Sequence, residues 1–268
     1  MARWAAGAAV CALTLSGGAA GWWAFTPGAP PHRSFAGLRV AAHGARSPES
    51  ALASGRPGTA APARAVAPEP TTGWIATVVV PTSWSSRPGG AGEGHLGTTN
   101  PYGAPETLAV VGAPSAQGWL QVELPVRPND TTGWIPASAA HLGWTPYSIR
   151  VDLEAKTLTV LDGDRAVLAS PVGIGAPRTP TPPASTYVWE LVAPGDPSGA
   201  YGPDIFGLAE FSDAYAVFNG GDAQIAIHGT DEPWTIGQAA SNGCVHLPNA
   251  VVTRLVGMLP LGTPVTIS

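Results

Sequence analysis

Over residues 147–168 the apolar side chains fall on every second position, and nothing else constrains the fold of this chain as tightly. Ile149, Val151 and Leu153 alternate with polar residues, as do Leu158 and Val160 and, past Asp162-Gly163-Asp164, Ala166 and Leu168. A period of two places those side chains on one face of a strand, which predicts a hairpin with one buried face. The other apolar runs are also short: Tyr187 to Val192, Ile225 to Ile227, Val265 to Ile267. Val172, Ile174 and the TPTPP run from Thr179 to Pro183 mark a strand end and a rigid turn. One short helix is predicted. Asn249 caps its start, Val251, Val252, Leu255 and Leu259 share a face, and it ends near Met258 before Pro260-Leu261-Gly262. With 34 Gly, 29 Pro and 12% charged residues, the 268-residue chain reads as mainly β and turn-rich, not as a helical bundle.

Residues 71–145 read as a small β-barrel-like domain. Apolar pairs and triplets (Trp74-Ile75, Val78 to Val80, Leu108 to Val111, Trp119 to Val122, Trp134-Ile135) alternate with turn clusters such as RPGGAGEG and RPND. The string TTGWI occurs at Thr71–Ile75 and again at Thr131–Ile135, so Gly-Trp is reused at strand starts. Two copies are too few for a solenoid. The tryptophans are expected in the core of this domain.

Upstream the chain changes character. Trp4 to Phe25 holds no charged residue and follows Arg3, as either a membrane anchor or a signal peptide would. Both readings of residues 1–25 send the rest of the chain out of the cytoplasm. Residues 26–70 lack periodicity, are dense in Pro, Ala and Gly, and read as a disordered linker. Residues 1–70 carry a net charge of +4 and residues 71–268 one of −9. The acidic body argues against nucleic acid as a partner. The basic tail suits an anionic lipid or wall surface, or simply solvent.

Cys11 lies inside the apolar N-terminal stretch, and its neighbours Ala8 and Val10 do not fit a lipidation signal. Cys244 is then the one cysteine of the exported body. Exported proteins normally pair their cysteines, so a single one is a reactive thiol, half of an intermolecular bridge or a buried inert residue. Its surroundings favour the first. Ile225-Ala226-Ile227 reads as a buried strand that delivers His228 to its end, and Ser241-Asn242-Gly243-Cys244 follows, with Cys244 sixteen residues after His228. A free thiol is only a few per cent thiolate at neutral pH, so a cysteine nucleophile needs a histidine within reach. Gly243 permits dihedrals closed to other residues, which would let the amides of Gly243 and Cys244 face an oxyanion. His246 is the competing base. A metal site made of His228, Cys244 and His246 lacks a fourth ligand and a known spacing, so no metal is expected.

At these residues the chain resembles the L,D-transpeptidase catalytic-domain family. HGT at 228–230, IG at 236–237, SNGCVHLPN at 241–249 and GTPVTI at 262–267 carry the likeness. TYVW at 186–189 and YGPDIFGLAEF at 201–211 extend it, so it covers residues 146–268. The resemblance implies a β-sandwich with a short helix, Cys244 as nucleophile and His228 as general base and acid. It also implies that the Gly229 carbonyl orients the imidazole and that Ser241, Asn242 and Gly243 shape the loop. Tyr201 and His246 fall on its substrate side. This chain departs from the family pattern in three places. Asn242 stands where His is frequent, His246 where Arg is frequent, and Ala184 where Gly usually follows the Thr-Pro turn.

The implied substrates are peptidoglycan stem peptides, as acyl donor and acceptor, joined in a 3→3 crosslink through a Cys244 thioester. No cofactor is implied, and carbapenems are the expected inhibitors. Hydrolysis of the same bond by an L,D-carboxypeptidase, and a non-catalytic cell-wall-binding protein, remain alternatives.

Overall fold

The computed structural model describes residues 73–112 and 117–268. The expected anchor or signal, the linker and Cys11 lie outside the described residues.

Seven short strands come first: β1 (Trp74–Val78), β2 (Thr82–Trp84), β3 (Gly94–Leu96), β4 (Thr107–Ala109), β5 (Trp119–Glu123), β6 (Thr132–Pro136) and β7 (Ala140–Trp144). Regular pairings and the bridges Ser85–Trp134 and Val110–Val122 link them in the order β3-β2-β6-β5-β4-β1-β7. The result is barrel-like but open, because among the described residues no pairing joins β3 to β7. β5 and β6 alternate strictly, so Leu120, Val122 and Ile135 point inward with Leu108 and Ala76. The tryptophans are not the deep core expected of them. Trp74 and Trp84 pack on its margin, and Trp144 is 47% exposed. The reason is strand register: Trp119 and Trp134 take the outward positions of β5 and β6, while Leu120, Val122 and Ile135 turn inward.

Then follow β8 (Tyr147–Asp152), β9 (Thr157–Asp162), β10 (Arg165–Pro171), β11 (Ile174–Gly175), β12 (Ala184–Val192), β13 (Ile205–Phe211), β14 (Gln224–His228), β15 (Ala239–Ser241), β16 (Val245–His246), α1 (Asn249–Val256) and β17 (Pro264–Ile267). Eight of these strands form one series, β10-β9-β8-β17-β12-β13-β14-β16. Bulges interrupt β12 near Val188 and β13 between Gly207 and Phe211. The two ends of the series close on one core, where Ile149, Val151, Leu158 and Val160 meet Phe206, Leu208, Ile225, Ile227 and Val245. This is the expected β-sandwich. The predicted hairpin is in fact a three-stranded meander, because Lys156 takes φ 50° and closes a further turn between β8 and β9.

The helix differs from expectation at both ends. Pro248, not Asn249, precedes its first turn, and no side chain caps it. The carbonyl of Pro248 takes the N–H groups of Val251 and Val252 instead (2.8 and 3.1 Å). The helix stops at Val256 before Gly257, short of Met258. Ala184 opens β12 opposite Ile267, so the change from glycine is accommodated in extended backbone.

The core of the first seven strands is completed from outside. Tyr187, Trp189 and Ala209, on β12 and β13, belong to it. Trp189 donates its indole N–H to the Glu106 carboxylate (2.8 Å), and Tyr187 its hydroxyl to the Glu123 carbonyl (3.2 Å).

Candidate active site

Parallel pairing of β14 with β16 sets His228 opposite His246 and Ile227 opposite Val245. His228 ends a strand whose neighbours Ile225 and Ile227 are almost fully buried, so the ring is drawn inward and is 3% exposed. Its Nδ1 lies 2.5 Å from the Gly229 carbonyl oxygen. A carbonyl only accepts, so Nδ1 carries the proton and Nε2 keeps its lone pair. The Tyr201 ring meets the imidazole edge-on at 5.0 Å between centroids, and the His246 ring lies 4.7 Å away. The tyrosine hydroxyl accepts a hydrogen bond from Asn219 (3.1 Å).

The turn before Cys244 is braced by Ser241. Its Oγ donates to the Cys244 carbonyl (2.6 Å) and accepts from the Gly243 N–H (3.1 Å). The expected oxyanion role of the Gly243 amide is therefore not displayed here, since its hydrogen points to Ser241. Gly243 has φ 120°, and a Cβ there would lie 3.2 Å from Ile225 Cδ1. The Thr-Pro turn backs the same loop, as the Thr179 hydroxyl donates to the Ser241 carbonyl (3.0 Å). Asn242 is exposed on the cleft rim.

Cys244 and His228 line one cleft of about 380 Å³ with Tyr201, Tyr215, Phe218 and His246. The cysteine as a residue is half-buried. Burial pushes its thiol up to about 11, opposed by a hydrogen bond from the Ala226 backbone. Burial pulls His228 down to about 4, helped by the neighbouring His246 and opposed by the Gly229 carbonyl. The resting pair is thus a neutral thiol beside a neutral imidazole. His246 is lowered as well, chiefly by burial, with Asp231 opposing, and its Nδ1 lies 3.3 Å from the Thr235 hydroxyl. Among the described residues no group of three His, Cys, Asp or Glu side chains is arranged to hold a metal ion.

All eight sequence-derived site residues therefore gather around one cleft or its supporting turns. Two supports escaped the sequence reading. The Asn249 side chain, expected to cap the helix, accepts the Thr230 N–H instead (2.7 Å) and holds the loop after His228. Any side chain at Gly229 would strike it. The dipeptide Asn219-Gly220 is a strong hairpin signal in the sequence. Here it forms a two-residue turn over the cleft, with φ 49° and 84°.

A family model for the L,D-transpeptidase catalytic domain, YkuD, matches residues 146–267. The chain is 34% identical over 124 residues to the YkuD protein of Bacillus subtilis, named as an L,D-transpeptidase. That match spans 66% of the relative's length, just under two thirds, and 46% of this chain. Similar solved structures include Bd1075 of Bdellovibrio bacteriovorus, at 26% identity over 46% of this chain and 47% of that one, with a TM-score of 0.36. Another is the catalytic domain of an E. faecium L,D-transpeptidase acylated by ertapenem, at 24% identity over 47% of this chain and 99% of that one, with a TM-score of 0.35. The likeness to the YkuD family of L,D-transpeptidase catalytic domains thus lies in residues 146–267, under half of the chain.

Proposed function

We propose that the chain is a cysteine-dependent acyltransferase that forms 3→3 crosslinks between peptidoglycan stem peptides. One observation carries this reading: His228, its Nδ1 tied to Gly229, shares a cleft with Cys244, so Nε2 is the available proton acceptor. As Cys244 Sγ attacks the carbonyl of the third stem residue, Nε2 takes the thiol proton. The Cys244 amide, with Gly243's already engaged, is the donor left for the oxyanion. The imidazolium then returns its proton to the departing D-Ala amine, and a thioester remains. The side-chain amine of a second stem attacks it, His228 takes the amine proton, and the thiol is restored.

The division into a segment 1–25 that anchors or exports the chain, a linker 26–70, a β domain 71–145 and a catalytic domain 146–268 belongs to the same proposal, as does action outside the cytoplasm. Incubation with a tetrapeptide stem, followed by mass, tests it. A crosslinked dimer supports transpeptidation, a tripeptide would mean hydrolysis, and no change would mean a binder. Turnover that survived Cys244→Ala would overturn the mechanism.

A further inference from the structure

One wall of the cleft is the segment between β13 and β14, residues 212–223. Tyr215, Phe218 and Asn219 face the cavity from it. Phe218 and Gly221 exchange both backbone hydrogen bonds (3.0 Å each), which closes the tight turn at Asn219-Gly220. The Tyr215 and Phe218 rings pack at 5.5 Å, and Asn219 bonds the tyrosine that abuts His228. Where this hairpin stands thus bears on the width of the cleft and on the ring next to the base. Its own strands tie it down at one end, by Ser212 N–H to the Ala223 carbonyl (2.9 Å).

The Ser212 hydroxyl also accepts the Ala214 and Tyr215 N–H groups (3.1 and 3.2 Å), and further ties come from far away in sequence. Arg127, in the loop between β5 and β6, places Nη2 at 3.1, 2.9 and 3.0 Å from the carbonyl oxygens of Ser212, Tyr215 and Asp222. One terminal nitrogen has two hydrogens, so they are shared among three acceptors, and a cation there offsets carbonyl charge from both arms of the hairpin. The guanidinium also lies 5.1 Å from the centre of the Phe211 ring, at the end of β13. Asn129 completes the attachment. Its amide gives Nδ2–H to the Phe211 carbonyl (2.9 Å) and accepts the Phe211 N–H (3.1 Å), as a paired strand would.

We infer that Arg127 and Asn129 are positioning residues for the cleft: the β5–β6 loop clamps both arms of the 212–223 hairpin and sets where Tyr215, Phe218 and Asn219 stand beside His228 and Cys244. The first seven strands thereby supply part of the site's shape without touching the reacting atoms. The consequence for stem-peptide binding rests on the proposed function; the clamp itself does not.

The test uses the full chain with Arg127→Ala, Arg127→Lys and Asn129→Ala, and three measurements. Amide exchange over 212–223 is expected to quicken about tenfold or more in Arg127→Ala, with β8 to β10 unchanged. The KM for a tetrapeptide donor is expected to rise about tenfold with kcat within about threefold, and Arg127→Lys to recover part of the loss. Alkylation of Cys244 by iodoacetamide, which needs the thiol and little of the cleft, is expected to stay within about twofold. Unchanged exchange in the hairpin would overturn the inference, as would a parallel loss of alkylation and exchange protection throughout the chain. If the wild-type chain processed no stem peptide while hairpin exchange still rose in Arg127→Ala, the clamp would stand and the proposed function would fall.

Discussion

At neutral pH the Cys244 thiol, at about 11, keeps its proton, and the His228 ring, at about 4, lacks a second one. Burial causes both shifts, because neither charged form is solvated in the cleft. Under the proposed mechanism such a pair transfers its proton during attack, not before it. Acylation by a carbapenem such as ertapenem should therefore be level from about pH 6 to 9 and fall as pH drops toward 4, where His228 gains its proton. Rates followed by mass across that range check this, and a pH midpoint near neutrality would contradict it. The same ring affects folding. Its folded value lies below the ordinary 6.5, so its contribution to stability is present above that pH and is lost as pH falls from 6.5 toward 4. The loss is on the order of 3 kcal/mol. His228→Gln should flatten that acid limb of a stability–pH curve. His246 stands where the family pattern often has Arg, and burial makes it a neutral neighbour of the base. A cation there would push His228 lower still.

Among the elements, the turn from Ser241 to Cys244 and the loop from His228 to Thr230 have the most exacting geometry. Ser241→Ala leaves the Gly243 N–H and the Cys244 carbonyl without their shared hydroxyl. The expected cost is about 1–3 kcal/mol of stability, since both groups sit in a largely buried turn. Acylation should slow about tenfold as Cys244 loses its fixed position. Denaturant unfolding and single-turnover acylation measure the two effects separately. Asn249→Ala strips the Thr230 N–H of its acceptor and should slow acylation more than it lowers stability. Asn249→Asp, which keeps the acceptor oxygen, should recover most of the rate.

Across the whole molecule, the contact between the two clusters is rich in buried acids. Burial raises Glu190 to about 8 and Glu123 and Glu210 to about 7, and Glu106 is raised as well. Among the described residues Glu190 Oε2 has no hydrogen-bond partner, and any side chain at Gly207 would strike its carboxyl. Raised carboxyls contribute stability that is fully present below about 4.5 and is lost as pH rises through 7 to 8. The melting temperature should accordingly fall between pH 5 and pH 9, and Glu190→Gln should flatten much of that fall. Glu190 alone accounts for on the order of 4 kcal/mol of the pH dependence. A melting temperature that rose with pH over this interval would contradict the assignment. Below about pH 6.5 the gain from these acids is opposed by the loss from His228.

Local features were legible in the sequence because they repeat on the scale of one element. Alternation over β8 to β10 announced a buried strand face, and a lone Cys beside Gly243, with His228 at a strand end, pointed to the proposed nucleophile and base. A cap residue and a loop anchor look alike in sequence, so Asn249 was read by its nearest neighbours, while its partner Thr230 lies nineteen residues away. The tryptophans read as core, because a Gly-Trp string does not say which face of its strand will turn inward. Arg127 shows the limit most plainly: its carbonyl partners lie 85 to 95 residues downstream, and backbone carbonyls carry no side-chain signature. The sequence by itself therefore determined the strands, the proposed pairing of Cys244 with His228 and the resemblance to the family. Only the tertiary structure decided that Tyr187 and Trp189 complete the core of the first strands and that Arg127 holds the wall of the cleft, because those contacts depend on pieces of chain that meet after folding.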